Sequence, residues 1–216
     1  MNSISSNKSS HLKGNLNVPG DKSISHRSLI IGSLVNGRIE INNLLESEDV
    51  IATANALKIL GVQINKLNNK WEVFGGGIGN FYGSGYVLNM GNSGTGARLL
   101  MGLVAGSDIE ATFVGDASLS KRPMKRITIP LNKSGARIKG NTNNLPINIK
   151  GNKIVLPIEY KSPISSAQVK SSILLAGLSS LGKTTLIEPS LSRDHTERML
   201  KFFGANISTE QLDDKS

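Results

Sequence analysis

Apolar residues in this chain gather in short dense runs, and three of those runs share one context. Leu29-Ile-Ile-Gly-Ser-Leu34, Leu99-Leu-Met-Gly-Leu-Val104 and Ile173-Leu-Leu-Ala-Gly-Leu178 each follow a polar stretch ending on a cation, at Arg27, Arg98 and Lys170. Runs this apolar, in this context, read as helices. Each is followed by a second helical stretch that stops at a glycine before an isoleucine, in Gly61-Val-Gln-Ile64, Gly135-Ala-Arg-Ile138 and Gly204-Ala-Asn-Ile207. The three cations lie about 70 residues apart. That period is too long for a solenoid repeat and suits a small α/β unit used three times.

Between these marks the polar and apolar alternation supplies the remaining elements. In the first unit, Arg38-Ile-Glu-Ile-Asn42 alternates as a half-buried strand. Ser47 is placed to cap a helix with Val50, Ala54 and Leu57 on one face and Gly61 as its stop. Val62–Lys66 and Trp71–Phe74 read as a hairpin across residues 67–70. In the second unit, strands are predicted near residues 86–89, 109–114, 136–139, 147–150 and 153–156. Its second helix carries Met124, Ile127 and Leu131 on one face and a bend at Pro130. The third unit predicts the Lys170 helix, a strand over residues 184–188 and a helix from about Ser192 or Asp194 to Phe203, with Asp194 and Glu197 as a capping box. No hairpin follows Ile207, so this unit reads as unfinished. The organisation predicted is a polar segment with a first strand over residues 1–16, then βαβαββ-like units over about 17–84, 85–157 and 158–216.

The 216 residues are enough to bury a core, and no run reaches the ~18 apolar residues of a membrane span. The polar start, Met1 to Ser10, has no hydrophobic signal core, which predicts a cytoplasmic protein. There is no cysteine, so disulfides and thiolate chemistry are excluded, and the three histidines show no metal-ligand spacing. No cofactor is expected. The formal charge of +9 calls for anionic partners. Aromatics are few and do not interleave with basic stretches, which favours small anions over specific nucleic-acid binding, although charge alone gives non-specific affinity for nucleic acid.

The cations sit where small anions bind. Pro19-Gly-Asp-Lys-Ser-Ile-Ser-His-Arg27 puts a lysine and an arginine at a helix start, where free N–H groups and partial positive charge already favour an anion. Gly94 and Gly96 in Asn92-Ser-Gly-Thr-Gly let backbone N–H groups approach a ligand, or simply form a turn before a helix. In Lys121-Arg-Pro-Met-Lys-Arg126, Pro123 fits a first helical turn and holds Arg122 extended, aimed across the helix start for a bidentate contact. Lys121, Lys125 and Arg126 read as a solvated basic face. Ser166, Gln168 and Ser192 also suit plain helix caps, and His26 and His195 suit helix-end hydrogen bonding. Gly177-Leu-Ser-Ser-Leu-Gly-Lys-Thr184 matches the P-loop expression, but it follows a helix and precedes a strand, the reverse of a true P-loop.

Val18–Arg27, Asn92–Arg98, Lys121-Arg-Pro-Met124 and Ser166-Ala-Gln-Val-Lys170 together resemble the 5-enolpyruvylshikimate-3-phosphate (EPSP) synthase family, in the family's order and over nearly the whole chain. Family members are about twice this length, so the resemblance is to an amino-terminal half. It implies an enolpyruvyl transferase-like α/β domain of three βαβαββ units around a pseudo-threefold axis. It also implies transfer of the enolpyruvyl group of phosphoenolpyruvate to the 5-hydroxyl of shikimate 3-phosphate, on the route to aromatic amino acids. By this resemblance Lys22 is catalytic and touches both substrates. Shikimate 3-phosphate falls to Lys22, Ser23, Arg27, Ser166, Ala167, Gln168 and Ser192. Phosphoenolpyruvate falls to Lys22, Gly94, Arg122 and Gln168. The carboxylate and lysine groups that move protons come largely from the family's other half, the complementary partner this reading implies.

Two positions depart from the pattern. Ala167 replaces a hydroxyl found in many members, leaving only its backbone, and His195 stands where some carry tyrosine. Gly94 is the small residue that leaves room for phosphoenolpyruvate or for glyphosate. Other readings of the same residues are a non-catalytic half that only binds shikimate 3-phosphate, the sister transferase acting on UDP-N-acetylglucosamine, and a basic α/β RNA-binding domain. The sister enzyme commonly uses a cysteine in this half.

Overall fold

A computed structural model describes residues 3–68 and 70–211. The first unit comprises α1 (Lys22–Leu34), β1 (Asn36–Asn42), α2 (Glu48–Ile59), β2 (Gln63–Leu67) and β3 (Lys70–Gly76). The second comprises β4 (Tyr82–Asn89), α3 (Gly94–Ala105), β5 (Asp108–Val114), α4 (Lys125–Lys133), β6 (Arg137–Lys139) and β7 (Ile147–Lys150), with a 3₁₀ turn over Leu119–Lys121. The third comprises β8 (Glu159–Lys161), α5 (Ala167–Gly177), β9 (Thr185–Ile187) and α6 (His195–Phe202).

The second unit shows the whole pattern. Its sheet runs β4-β5-β7-β6, with β4 and β5 parallel across an α3 crossover and the other neighbours antiparallel. Among the described residues, the first unit repeats this as β1-β3-β2 without a counterpart of β4, and the third as the parallel pair β8-β9 without the closing hairpin. Of the strand predicted within residues 1–16, none is formed among the described residues: residues 3–18 run exposed, with Leu12 94% and Leu16 83% accessible. A strand needs a neighbouring edge to satisfy its backbone groups, and no described strand pairs with this segment. The strand predicted over residues 153–156 reduces to a single bridge between Val155 and Ser180, for the same reason.

The second helix of every unit ends identically. Gly61, Gly135 and Gly204 have φ of +91°, +101° and +86°. Each glycine N–H bonds the carbonyl three residues back, at Lys58, Asn132 and Lys201, and the next N–H bonds the carbonyl five back, at Leu57, Leu131 and Leu200. This is the Schellman closure, and it needs a residue without a Cβ penalty at the left-handed position. The three-fold sequence repeat is therefore a three-fold repeat of backbone geometry. Pro130 lies inside α4 as expected, while Pro123 precedes that helix, which starts at Lys125.

At the centre stands α3, whose residues are all buried except Thr95. It packs against α1 and α5, and a Cβ at Gly102 would overlap the Ser172 carbonyl oxygen, so α3 and α5 meet nearly backbone to backbone. The first helices of the three units thus share one core. No helix among the described residues is long and apolar enough to cross a membrane.

Candidate anion-binding site

Each of the three first helices is capped by a side chain: Asp21 accepts from Ile24 N–H at 2.8 Å, Ser93 from Gly96 N–H at 3.2 Å and Ser166 from Val169 N–H at 3.5 Å. These starts lie together, because their side chains bond one another. Gln168 on α5 donates to Thr95 Oγ1 on α3 at 3.0 Å and accepts from Arg98 Nη1 at 3.0 Å. Arg27 on α1 donates to Ser171 Oγ on α5 at 2.8 Å and to Thr196 Oγ1 on α6 at 2.6 Å. Three helix N-termini with their free N–H groups and dipole ends therefore open on one region.

The repeat cations Arg27 and Arg98 are 2% and 3% exposed, and Lys170 is buried as well. Their environments differ. Lys170 lies 3.0 Å from Glu188 and 2.7 Å from Glu197. Burial alone depresses its pKa, but the hydrogen bonds and charges of the two glutamates outweigh that and hold it above the ordinary lysine value. Burial also lowers the pKa of Arg27, against an opposing pull from Glu197. Lys22, half exposed, pairs with Asp49 at 3.0 Å.

Arg98 has no such partner. Among the described residues, no carboxylate lies within ion-pair distance of Arg98, Arg122 or Arg126. Desolvation, with repulsion from Arg126 and Arg122, brings the Arg98 pKa down to about 10. The Nε atoms of Arg98 and Arg126 are buried without an acceptor. Arg122 is extended at φ −77°, ψ 137° as its pre-proline position predicts, and it donates to Asn92 Oδ1. Asn92 in turn donates to Asp116 at 2.8 Å. Gly94 lies directly beneath: a Cβ there would sit 2.9 Å from both Arg122 Nη1 and Arg98 Nη1. Two guanidiniums, those of Arg98 and Arg122, stand over Gly94, with Arg126 near enough to repel Arg98, and this arrangement suits a small anion.

The structure brings Gly94, Arg122 and Gln168 to this cluster, and Arg27, Ser166 and Ala167 to the adjoining start of α5. Ser23 accepts from Arg193 at 3.3 Å. Ser192 does not cap α6; its hydroxyl donates to Glu188 at 2.8 and 3.0 Å. The Asp194–Glu197 capping box is also absent, because Glu197 is drawn to Lys170 and Asp194 makes no side-chain cap bond. His26 is fully buried and bonds Thr53 Oγ1 through Nδ1 at 2.8 Å. Burial, more than the nearby cations, pushes its pKa down to about 4 against the pull of Asp49. The segment 177–184 runs from helix into strand, as expected for a connection rather than a P-loop. Sequence reasoning missed Asp49, Glu188 and Arg193, gave Glu197 to a capping box, and read Arg126, whose Nε is buried, as part of a solvated face. Only Arg98 and Lys170 had carried a signal, through the repeat.

Fold and site together define an α/β domain built by threefold repetition, with a cationic site where its first helices begin. The family model of EPSP synthase (3-phosphoshikimate 1-carboxyvinyltransferase) matches residues 6–215, and the chain belongs to that family. It is 53% identical over 205 residues to a 3-phosphoshikimate 1-carboxyvinyltransferase of Bartonella quintana, covering 94% of this chain and 46% of that protein. It is 52% identical over 210 residues to one of Zymomonas mobilis, covering 96% of this chain and 46% of the relative. A solved EPSP synthase from Acinetobacter baumannii superposes with a TM-score of 0.86 at 44% identity, covering 91% of this chain and 45% of that one. The chain therefore spans about half the length of the curated relatives it matches, and its fold is the enolpyruvyl transferase fold.

Proposed function

We propose that this chain is the amino-terminal, substrate-holding half of an EPSP synthase. Its three units act as one domain that places shikimate 3-phosphate against Lys22, Ser23, Arg27, Ser166, Ala167, Gln168 and Ser192, and phosphoenolpyruvate against Lys22, Gly94, Arg122 and Gln168. The observation that carries this reading is the buried Arg98, without an ion-pair partner among the described residues, beside Arg122 and the helix starts. Two anions held side by side repel each other, and fixed cations offset that repulsion without reorganising. Ala167 serves through its backbone N–H in the first turn of α5, so the missing hydroxyl is no obstacle.

The reaction is transfer of an enolpyruvyl group with loss of phosphate. Protonating the methylene carbon makes a cationic centre that the 5-hydroxyl attacks, which requires an acid and a base. By its match to the family pattern, Lys22, which pairs with Asp49, is the group of this chain at the reacting end, and the remaining proton-moving groups belong to a complementary carboxy-terminal half. Closure of the two halves assembles the full site, so this chain alone binds more weakly and does not turn over. The protein works in the cytoplasm.

Calorimetric titration of the purified chain with shikimate 3-phosphate, with and without phosphoenolpyruvate, tests this. Saturable binding abolished by Arg27→Ala is expected, with Arg27→Lys as the folding control. Strong RNA binding without any response to shikimate 3-phosphate would sink the proposal. Joined to a carboxy-terminal half, the enzyme is expected to be glyphosate-sensitive, and unchanged turnover in excess glyphosate would refute that part.

A further inference from the structure

Glu188, which directly follows β9, pairs with Lys170 and accepts from Ser192, and it also reaches the start of α5. Its Oε1 accepts the backbone N–H of Ser166 at 2.9 Å and the Ser192 hydroxyl at 3.0 Å. Its Oε2 accepts the same hydroxyl at 2.8 Å and the Lys170 ammonium at 3.0 Å. Lys170 continues the network to Glu197 at 2.7 Å and reaches the Ser192 carbonyl at 3.5 Å. One side chain thus ties the cap residue of α5 to the loop that precedes α6.

The geometry divides the local donors into two sets. The Ser166 N–H and the Ser192 O–H are spent on Glu188. The Ser166 hydroxyl, which only accepts from Val169, keeps its own proton free, and the first-turn N–H groups of Ala167 and Gln168 point out of the helix start without helical partners. These free donors suit the several oxygens of a phosphate, as helix starts do. Their direction depends on the Ser166 backbone, and that backbone is pinned by Glu188.

A carboxylate beside a phosphate site is electrostatically unfavourable, which sets up two opposing expectations. If the charge of Glu188 mattered only through Coulomb repulsion, removing it would leave Lys170 facing Glu197 alone and make the region more attractive to an anion. If its hydrogen bonds matter, removing it would loosen the donors and weaken binding despite the more favourable charge.

We infer that Glu188 is a positioning residue of the shikimate 3-phosphate site, acting through Ser166 and Ser192 while Lys170 absorbs its charge. The inference rests on the function proposed above. Charge-assisted bonds to Ser166 and Ser192 are of the strength that makes their loss worth about tenfold in affinity.

The test is titration of the 216-residue chain and its Glu188→Gln and Glu188→Asp variants with shikimate 3-phosphate and with shikimate. Glu188→Gln keeps the shape and loses the charge, whereas Glu188→Asp keeps the charge and loses the reach. Both are expected to weaken shikimate 3-phosphate by about tenfold and shikimate by less than about twofold, so that the ratio of the two affinities falls. General damage to the fold would lower both ligands together and overturn the inference. Tighter binding by Glu188→Gln with Glu188→Asp unchanged would also overturn it, in favour of a purely electrostatic role. If the wild-type chain shows no saturable binding of shikimate 3-phosphate, the functional reading falls and takes this inference with it. Normal wild-type binding with both variants unchanged overturns this inference alone.

Discussion

Arg98 on α3 and Gln168 on α5 are held 3.0 Å apart, guanidinium to amide oxygen, while the amide nitrogen of Gln168 donates to Thr95 at 3.0 Å. Both ends of the Gln168 amide are therefore committed, and its orientation is fixed before any ligand arrives. Arg98 gains an acceptor from this arrangement but, among the described residues, no countercharge. The site stores an unbalanced positive charge in a desolvated place, at a cost in stability that a bound anion would remove.

Gln168→Glu supplies the missing countercharge at nearly the same geometry. It is expected to raise the unfolding free energy by about 1–2 kcal/mol, since a buried cation acquires a hydrogen-bonded partner. The same change should weaken phosphoenolpyruvate at least about tenfold, trading function for stability. Urea unfolding and ligand titration on one preparation check both signs, and a variant less stable than wild type would contradict the claim that Arg98 lacks compensation.

Gly94→Ala introduces a methyl group 2.9 Å from two guanidinium nitrogens. Arg98 is held by the Gly94 and Pro123 carbonyls and by Gln168, so Arg122, whose side chain bonds only Asn92, is the group that moves. Phosphoenolpyruvate affinity is expected to fall by about tenfold, as a bidentate contact is lost. Shikimate 3-phosphate affinity and melting temperature should stay near wild type. Equal losses for both ligands would show that the glycine serves the helix start generally.

Stability should depend on pH through His26. The buried ring has its pKa lowered from 6.5 to about 4, so below pH 6.5 the unfolded chain takes up a proton that the folded chain refuses. The stabilisation is complete above about pH 6.5 and drains away as pH falls towards 4. Between pH 7 and pH 5 this one residue accounts for about 2 kcal/mol. His26→Asn keeps a hydrogen-bonding side chain for Thr53 and cannot titrate. The difference between its unfolding free energies at the two pH values should be smaller than wild type's by that amount, and equal differences would exclude His26 as the source.

Much of the architecture was legible because repetition writes itself into local signals. The glycine stops at Gly61, Gly135 and Gly204 are dictated by backbone geometry within each unit, and so are the Ser166 cap and the extended Arg122 before Pro123. Predictions failed where an element depends on something distant. A strand was expected within residues 1–16 and another over 153–156, but a strand exists only where an edge receives it. The Asp194–Glu197 capping box failed because Lys170, on another helix, offers Glu197 a stronger partner than a local N–H.

The sequence by itself determined the threefold α/β repeat, the positions of its helix starts and the cations placed at them, since these follow from periodicity, glycine and proline geometry and the spacing of charged residues. Only the tertiary structure decided which cations are free to act. Arg27, Arg98 and Lys170 occupy equivalent places in the repeat, yet Lys170 is neutralised by Glu188 and Glu197 while Arg98 meets no carboxylate among the described residues. Charge compensation depends on which side chains lie within a few ångströms in space, and residues brought together from different units leave no mark of that proximity along the chain.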